Sequence, residues 1–382
     1  MVRIFHTGDV HLDSAFSNFS PSHAEARRRD LRATFTSMTL YAQTQNIDIM
    51  LIAGDLFEDS FATRETIDLV KREFAKLKCP VVISPGNHDP YSESGIWKSV
   101  SFSDNVYVFD SDELSYFDFP DLGVRVFGWS FTSKRMEVSP LTGKSVRDFE
   151  GGENYINLLC AHCDLTSPIS KDCPVTLQEL KGFGADYCAL GHIHNPTDYG
   201  DGIAYCGCPE GRAFDEKGPK GALVVTVSDN DAVFGQSSDS GRRITVRKER
   251  FSKRRYEEDI LRVDGAASNG ELRDMISSYL TSSKFGDDTI LRLTLTGEIS
   301  PSFVLSSPYL ESEPPRIFAL KILDKTTPAL DIDALRADPT LKGEFFRQLE
   351  DKLTSNDPDT RAVAALALRA GLAALAGEAV TE

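Results

Sequence analysis

The chain lacks a repeating cysteine pattern, a long hydrophobic run and an excess of positive charge. Its seven cysteines are an odd number without a repeating spacing, which argues against a disulfide framework and favours a reduced compartment. The N-terminus runs into a predicted strand without an apolar targeting region. The most apolar late stretch, residues 362–377, is alanine-rich and interrupted by Arg369, so it predicts a helix and not a membrane span. We therefore expect a cytoplasmic protein that does not cross a membrane.

The net charge of −16 argues against indiscriminate nucleic-acid binding, because contacts with phosphates need lysine and arginine. The basic residues are nevertheless clustered. Between residues 242 and 255 one acid stands among eight bases, which are Arg242, Arg243, Arg247, Lys248, Arg250, Lys253, Arg254 and Arg255. This stretch predicts a nucleic-acid-binding surface, although it is also typical of an edge strand guarded by charge. The smaller group at residues 27–32 is interpreted as a solvated face.

A length of 382 residues exceeds one ordinary domain, so we expect two or more units. Apolar runs and amphipathic stretches alternate in a βαβαβ order in the first hundred residues, which indicates a layered α/β domain. A Ser/Asp-rich stretch at residues 228–241 is a plausible boundary. We predict an α/β domain at 1–235, a small α+β capping domain at 256–326 and a helical region at 327–382.

The periodicity of apolar residues predicts the individual elements. Strands are expected at residues 2–5, 47–53, 81–83, 106–109, 124–127, 155–160, 187–190, 222–227, 259–263 and 291–295. Helical stripes are expected around residues 31–42, 67–77, 272–279, 345–349 and 362–376.

Short polar blocks follow five of the predicted strands. They are Asp9-Val10-His11, Gly54-Asp55, Gly86-Asn87-His88-Asp89, His162 and Gly191-His192-Ile193-His194. Open α/β sheets place their ligand sites at the carboxyl ends of strands, so these blocks are expected to meet. Imidazole together with hard oxygen donors suits Mn, Fe, Mg or Zn. Taken singly, His162 is more often a core histidine and Gly-Asp a turn, but their joint occurrence predicts a two-metal hydrolase.

The spacing within the blocks suggests how the side chains are presented. Two residues that are two apart, such as Asp9 and His11, project the same way if the backbone stays extended. The glycines before the ligands are expected to provide unusual backbone angles at sharp turns. Asp55, alone in its block, is positioned to bridge two metals. His88 is left over as the candidate acid that protonates the leaving alkoxide, and His6 on the first strand is interpreted as a structural neighbour.

These blocks resemble the signature of the calcineurin-like metallophosphoesterase superfamily, D-x-H, G-D, G-N-H-D, H and G-H-x-H. Residues 8–13, 54–57, 189–194 and 205–221 are similar to the SbcD-type DNA-repair nucleases, especially their YhaO-like branch. The resemblance covers residues 1 to about 230 closely, the α+β module loosely and the helical tail hardly at all. It implies a four-layer α/β/β/α sandwich with a capping domain and a helical C-terminal tail.

The resemblance also implies a ligand set. One metal would be held by Asp9, His11, Asp55 and His194, and the other by Asp55, Asn87, His162 and His192. His88 matches the proton donor of the family. The two divalent metals are expected to be Mn, with Mg, Fe or Zn as alternatives.

One position departs from the nuclease pattern. Archaeal and eukaryotic members of the group carry a histidine three residues after the bridging aspartate, where this chain has Glu58. Phosphoprotein phosphatases in the superfamily have an aspartate there, paired with the catalytic histidine. We hypothesise that Glu58 pairs with His88 and raises the pKa of its imidazole.

The resemblance implies a DNA nuclease with exonuclease and single-strand endonuclease action, partnered by an SMC-like ATPase. A homodimer is a candidate assembly. The chain has no G-x-x-x-x-G-K-[ST] segment, so ATP-driven steps would need that partner. The helical tail is a candidate docking site, although packing on its own domain is the simpler interpretation. A second hypothesis is a metallophosphodiesterase for cyclic nucleotides or other small diesters. A third is a non-catalytic scaffold of an ATPase complex, which the complete ligand set argues against.

Overall fold

Runs of β-branched and aliphatic residues alternate with amphipathic stretches, and the chain forms strands and helices accordingly. The structure is a computed structural model that describes residues 1–228, 236–237 and 242–377. The strands are β1 (Val2–Thr7), β2 (Ile49–Ile52), β3 (Val81–Ile83), β4 (Val106–Val108), β5 (Ser115–Phe119), β6 (Val124–Gly128), β7 (Ile156–His162), β8 (Tyr187–Gly191), β9 (Thr197–Asp198), β10 (Ile203–Tyr205), β11 (Gly221–Ser228), β12 (Gln236–Ser237), β13 (Arg243–Arg250), β14 (Arg255–Arg262), β15 (Thr289–Ile299) and β16 (Ala319–Pro328).

Most of the described helices begin at a capping side chain, such as Thr63 before α2 and Thr176 before α4, which accept hydrogen bonds from the first turn. The α-helices are α1 (Pro21–Thr44), α2 (Arg64–Ala75), α3 (Ile96–Ser99), α4 (Leu177–Phe183), α5 (Asn269–Ser282), α6 (Ser307–Glu311), α7 (Ile332–Ala337), α8 (Leu341–Leu353) and α9 (Pro358–Ala376).

Two large sheets organise the N-terminal part of the chain. One has the order β12-β13-β11-β1-β2-β3-β4, in which β1 to β4 are parallel and β11 is antiparallel to both β1 and β13. The other has the order β5-β6-β7-β8-β10-β9, in which β6, β7, β8 and β10 are parallel. The carboxyl ends of the parallel strands in each sheet therefore lie at one edge.

Three apolar layers separate four layers of secondary structure. Leu31, Phe35 and Phe74 of α1 and α2 cover one face of the first sheet. The inner layer joins the two sheets through side chains such as Ile49 and Leu158. Helix α4 covers the outer face of the second sheet. The predicted α/β/β/α sandwich is confirmed.

The chain divides into two compact units. Unit 1 comprises Met1–Glu257 and Asp287–Ile290, and unit 2 comprises Glu258–Gly286 and Leu291–Glu382. Most of the boundary stretch proposed at 228–241, including the predicted domain end at 235, lies outside the described residues. The proposed domains at 256–326 and 327–382 fall together in unit 2 apart from residues 256–257 and 287–290, and their separate identities stay a prediction.

Unit 2 is an α+β module with a helical extension. Its three-stranded sheet has the order β14-β15-β16, and α5 and α6 contribute to one apolar cluster with it. In the extension, the backbone of Gly371 in α9 passes close to the ring of Phe345 in α8. Arg369 of α9 forms an ion pair with Glu298 of β15. The tail is therefore packed, at least in part, on its own unit.

The stretch at residues 242–255 forms β13 and the start of β14. β13 pairs with β11 along eight residues, and on its other side the described chain offers only Gln236 and Ser237. The backbone therefore fits the second interpretation of this stretch, a strand near the sheet edge whose charged side chains discourage pairing with other chains.

The seven cysteines and the alanine-rich stretch at residues 362–377 all lie in the described part of the chain. All seven cysteines are buried free thiols. Residues 362–376 are helical, as predicted, within α9. In the described part of the chain, no helix has the length and apolar character needed to cross a membrane.

His6 provides a polar contact between the two sheets. It lies on β1, is fully buried, and its Nδ1 is 2.8 Å from the hydroxyl of Tyr187 on β8. Its Nε2 is 3.2 Å from the carbonyl oxygen of Leu190, so Nε2 carries the proton and Nδ1 accepts from the tyrosine. Burial lowers the pKa of His6 to about 3. His6 is a structural residue, as predicted.

This depressed pKa generates a prediction about acid stability. Below pH 6.5 the unfolded chain protonates this histidine while the folded protein keeps it neutral. The free energy of unfolding should therefore fall by up to about 1.4 kcal/mol per pH unit between pH 6.5 and about 3. Urea unfolding of wild type and His6→Gln at pH 4 to 7 would measure this term, and equal pH slopes in the two proteins would contradict it.

Candidate metal centre

The five polar blocks meet at one edge of unit 1. The blocks after β1, β2 and β3 come from the first sheet, and those at the ends of β7 and β8 come from the second. Carboxyl ends of parallel strands from both sheets therefore supply the site, as expected from the sequence.

Asp55 lies between two of the predicted imidazole ligands. Its Oδ2 is 3.4 Å from Nε2 of His11 and 3.5 Å from Nε2 of His162. Asn87 joins the same group, since its Oδ1 is 2.9 Å from Nε2 of His162. Oδ2 of Asp55 therefore lies between two predicted ligands, and its role as a bridging ligand stays a prediction.

Asp9 occupies a second central position. Beside a group made of His11, Glu58 and His88, two groups of side chains could each hold a metal ion, with ligand atoms within 4.8 Å of one another: Asp9, His11 and His194, and Asp9, Asp55 and His162. These groups share Asp9, whereas the resemblance implies that Asp55 is shared. Both carboxylates are buried, and Oδ2 of Asp55 is also 3.4 Å from Nε2 of His11, a member of the first group.

His192 is near the centre but takes part differently. Its ring centroid is 5.2 Å from that of His162, and its Nε2 is 3.9 Å from Oδ2 of Asp164. Its backbone N–H donates to both carboxylate oxygens of Asp9, at 3.0 and 3.1 Å. His192 thus orients Asp9 through its backbone, and its role as a ligand stays a prediction.

The donor set fits divalent metal ions. Nε2 of His11 is buried and hydrogen-bonds to none of the described residues, which is costly unless another partner uses its lone pair. Nδ1 of His162 donates a hydrogen bond to the carbonyl oxygen of Ala53 at 3.0 Å. The lone pair of the imidazole is therefore on Nε2, where it could bind a metal ion. Second contacts of this kind are typical of metal-binding histidines. Imidazoles and carboxylates together suit the metals expected from the sequence.

The backbone at the ligands is strained and not extended. Asp9, His11, Asp55 and His192 have φ angles of 50°, 48°, 51° and 108°, in a region that side chains other than glycine seldom adopt. The extended backbone on which the prediction for Asp9 and His11 was conditional is therefore absent at these two residues, although their side chains do lie in one group. Hydrogen bonds from the N–H groups of Asp9 and His11 to the carbonyls of Gly54 and Asp55 hold this conformation.

The glycines before the ligands are needed mainly for close approach. A Cβ atom on Gly191 would lie 1.7 Å from the carbonyl oxygen of Ala53, and one on Gly86 would lie 2.2 Å from Oδ1 of Asp55. Only Gly54 among the three has a positive φ, at +83°, and its Cβ would also meet His162. The predicted role in backbone angles holds for Gly54, while Gly86 and Gly191 make room for neighbouring groups.

Asp89 organises the ligand loops, a role that the sequence did not reveal. Its carboxylate is 1% exposed and accepts hydrogen bonds from four backbone N–H groups, those of Asp55, Leu56, Phe57 and Gly86. It therefore ties the loop after β2 to the loop after β3. The only signal was its place as the last residue of the third block.

His88 and Glu58 lie in contact at the open side of the centre. Nδ1 of His88 is 2.9 Å from Oε1 of Glu58, and this hydrogen bond raises the pKa of His88. Oε2 of Glu58 is 3.2 Å from Nδ1 of His11, so the carboxylate also holds a predicted ligand. The side chain of His88 is 43% exposed and can be reached from solvent. The catalytic roles of both residues stay predictions.

Glu216 and Arg212 are site residues that the sequence patterns did not indicate. Oε1 of Glu216 is 2.5 Å from Nδ1 of His194, and its Oε2 accepts from the backbone N–H of Arg212 at 2.6 Å. Both residues lie in the segment 205–221, whose only signal was its overall similarity to the YhaO-like branch. Their proximity to His194 depends on a loop whose course no periodicity predicts.

A buried ion pair fixes that loop. Arg27 and Glu210 are both fully buried, with Nη1 of the arginine 2.9 Å from Oε1 of the glutamate. Glu210 also accepts from the backbone N–H groups of Lys253 and Arg254, and Arg27 donates to the carbonyl of Gly211 at 2.6 Å. Arg27, predicted to lie on a solvated face, is therefore an internal anchor of the site.

The eight bases at 242–255 are not gathered at the metal centre. Five of them form ion pairs with carboxylates: Arg242 with Asp186, Arg247 with Glu249, Arg250 with Asp288, Arg254 with Asp30, and Arg255 with Asp288. Among the described residues, no carboxylate lies within ion-pair distance of Arg243, Lys248 or Lys253. The stretch is therefore less available to phosphates than its charge suggested, and nucleic-acid binding by these residues stays a prediction.

Comparison with known proteins agrees with this geometry. The family model described as calcineurin-like phosphoesterase matches residues 2–196. The chain is 27% identical over 247 residues to the metallophosphoesterase YhaO of Bacillus subtilis, itself described as uncharacterized, covering 61% of this chain and 59% of that protein. It is 25% identical over 241 residues to the DNA double-strand break repair protein Mre11 of Methanopyrus kandleri, covering 57% and 51%. It is 22% identical over 258 residues to the SbcD component of the SbcCD nuclease of Staphylococcus epidermidis, covering 60% and 67%. The chain thus spans between half and two thirds of the length of these relatives.

The contact at Ala53 predicts a strong effect of a single methyl group. Gly191→Ala would place a Cβ against the Ala53 carbonyl, so the sheets must separate at the ligand edge. We expect a loss of roughly 1–3 kcal/mol or more in unfolding free energy, together with weaker Mn binding. Gly182→Ala is the matched control, because nothing lies within 4 Å of its added Cβ. Urea unfolding and calorimetric Mn titration would measure both variants, and equal behaviour would contradict the prediction.

The Glu58–His88 contact predicts the pH dependence of hydrolysis. If protonated His88 is the acid, activity falls as pH rises through its pKa, which the Glu58 carboxylate raises. Glu58→Gln removes that charge, so the alkaline fall in kcat should begin at a lower pH. A pH–rate profile of the Mn-loaded variant checks this, and an unchanged alkaline limb would contradict the pairing.

Proposed function

Since the chain belongs to the calcineurin-like phosphoesterase family, we propose that it is a two-metal-dependent DNA nuclease that hydrolyses phosphodiester bonds. Metal-dependent phosphoester hydrolysis is the chemistry of the family. The observation that carries the proposal is the position of Asp55, whose Oδ2 lies 3.4 and 3.5 Å from the imidazoles of His11 and His162. A single carboxylate oxygen between two such donors is suited to a pair of adjacent metal ions.

The ligands would divide between two ions. One ion would be held by Asp9, His11, Asp55 and His194, and the other by Asp55, Asn87, His162 and His192. Two divalent metals bound there would polarise the phosphoryl oxygens and activate a water molecule. The buried carboxylates and the fixed tautomer of His162 make the site rigid before substrate arrives.

His88 would hold the proton that the leaving oxygen needs. Its Nδ1 faces Glu58, so the proton available to substrate is on Nε2. The Glu58 carboxylate favours the protonated imidazole, and the partial exposure of the ring lets a polymer backbone approach. His88 is therefore placed to protonate the departing alkoxide as the phosphodiester bond breaks.

DNA as the substrate is supported by the names of the relatives. Two are called DNA double-strand break repair protein Mre11, and a third is named as part of a nuclease. On this basis we propose exonuclease and single-strand endonuclease action in DNA repair, with Mn as the metal. An SMC-like ATPase partner, docking through residues 327–382, a homodimer and a cytoplasmic location belong to the same proposal.

A small phosphodiester is the second candidate substrate. The basic stretch argued for a polymer, but five of its eight bases are already paired with carboxylates. This observation favours keeping cyclic nucleotides and other small diesters as alternatives. A purely structural scaffold is less well supported, because the candidate ligand atoms of each group lie within 4.8 Å of one another and could hold a metal ion.

The leaving group distinguishes the proposed acid from a structural histidine. On end-labelled single-stranded DNA with Mn, His88→Ala should lower kcat by roughly 10²–10⁴-fold while Mn binding is retained. On bis(p-nitrophenyl) phosphate the same change should have a small effect, because nitrophenolate leaves without a proton. His23→Ala, on α1, is the matched control and should behave as wild type on both substrates.

The same assays test the function itself. Wild-type protein loaded with Mn or Mg should cleave single-stranded or duplex DNA with a higher kcat/KM than the chromogenic diester. Faster hydrolysis of small diesters with no DNA cleavage would support the alternative substrate class. Hydrolysis of neither, together with capture of a coiled-coil ATPase, would support the scaffold.

A further inference from the structure

The guanidinium of Arg212 lies beside the metal centre without a close acceptor. Its Nη2 is 3.2 Å from Nδ1 of His194, and its Nη1 is 4.0 Å from Oε2 of Glu58. Among the described residues, the hydrogen bond of its terminal nitrogens to an oxygen is the long one from Nη1 to Oγ of Ser14, at 3.4 Å. The side chain is 19% exposed, so it is largely removed from water and still open to the site.

The contact with His194 does not satisfy the arginine. Nδ1 of His194 is 2.5 Å from Oε1 of Glu216, and a carboxylate can only accept, so this nitrogen carries the hydrogen. A protonated Nδ1 cannot also accept from Nη2 of Arg212. Nη2 is 3.4 Å from Nε2 of His194, but the lone pair of Nε2 is the one that would bind a metal if His194 is a ligand. The nearest oxygen of Glu216 is 3.7 Å from Nη2, beyond hydrogen-bond distance. Nε of Arg212 is also buried without a partner among the described residues.

Two other arginines of unit 1, Arg27 and Arg125, are paired more tightly. The terminal nitrogens of Arg27 donate to Glu210, Asp30 and a carbonyl oxygen at 2.6 to 2.9 Å, although its Nε is likewise unpaired. Arg125 grips Asp118 with two hydrogen bonds of 2.6 and 2.9 Å. An arginine that is mostly buried without such an acceptor carries a desolvation cost that a bound anion would offset.

The backbone of Arg212 is nevertheless firmly held. Its N–H donates to Glu216 at 2.6 Å, and its carbonyl oxygen accepts from the hydroxyl of Tyr256 at 2.7 Å. The preceding residues are anchored by the buried pair of Arg27 and Glu210. The loop thus fixes the place of the guanidinium while its terminal nitrogens make only long contacts, which is the arrangement of a preorganised binding group.

We propose that Arg212 binds a non-bridging oxygen of the scissile phosphate, an inference that rests on the proposed phosphodiesterase function. The planar fork of an arginine matches the spacing of phosphate oxygens. Arg212 faces His194, a predicted ligand, and also Glu58, which holds the predicted acid His88. A phosphate gripped there lies between the metal ligands and the proton donor. The arginine is thereby a substrate-binding residue that positions the phosphorus for attack.

The first test measures anion binding without turnover. Inorganic phosphate should bind the Mn-loaded wild type, and Arg212→Ala should weaken that binding by roughly 10–100-fold in calorimetry. Arg212→Lys should be intermediate, because it keeps the charge and loses the fork. Mn affinity should be unchanged in both variants. Arg29→Ala, an equal change of charge on the exposed side of α1, should bind phosphate as wild type does.

The second test asks whether the contact is with the phosphate oxygen. The ratio of kcat/KM for wild type to that for Arg212→Ala should be about 10–100 with bis(p-nitrophenyl) phosphate. With bis(p-nitrophenyl) methylphosphonate, in which a methyl group replaces one non-bridging oxygen, the ratio should fall towards one. Equal ratios for the two esters would mean that the arginine only supports the fold of the site, and the proposal would be overturned.

The outcomes separate this inference from the function it rests on. Normal phosphate binding and normal hydrolysis by Arg212→Ala would overturn the role of Arg212 and leave the proposed function intact. A wild type that hydrolyses no diester would overturn the proposed function, and the calorimetric comparison with phosphate would still report on Arg212. Loss of Mn binding in Arg212→Ala and Arg212→Lys alike would assign the residue to the support of His194 and overturn the proposal.

Discussion

The carbonyl oxygen of Ala53 is the point on which the metal centre depends. His162 from the second sheet donates to it at 3.0 Å, and Gly191, also from the second sheet, passes so close that an added Cβ would lie 1.7 Å away. The two sheets can therefore approach at the ligand edge only because residue 191 has no side chain. That approach places the imidazole of His162 opposite Asp55, and it fixes the tautomer that leaves Nε2 free for a metal.

Around this contact, the ligands are held in conformations that the chain would not adopt unaided. Asp9, His11 and Asp55 have positive φ angles, a strain usually supported by surrounding structure at functional sites. Asp89 supplies that support through four backbone hydrogen bonds, and Glu58 and Glu216 orient the imidazoles of His11 and His194. Because these partners are buried or half-buried, the site is rigid before a metal or substrate binds. Rigid placement of donors is the property that metal-assisted hydrolysis requires.

Much of this could be predicted from the sequence, because local patterns determine local structure. The runs of apolar residues predicted the strands of the sheets, and the polar blocks after those strands supply seven residues that meet at one edge. Other features depend on distant parts of the chain and left no local trace. Arg27, interpreted as part of a solvated face, is buried in an ion pair with Glu210, which lies 183 residues away. The pairing of the basic stretch with carboxylates was not predicted either.

The sequence by itself determined which metal-binding side chains are present, since histidines, carboxylates and an asparagine stand at the strand ends and a two-metal site uses these residue types. It also determined the layered architecture, through the period of its apolar residues. Only the tertiary structure decided that Asp9 as well as Asp55 is central, and that Arg212 lies beside the site with a long hydrogen bond of 3.4 Å to Ser14. The reason is physical: periodicity reports which face of an element is buried, whereas the direction of a side chain in a loop depends on contacts between segments far apart in the chain.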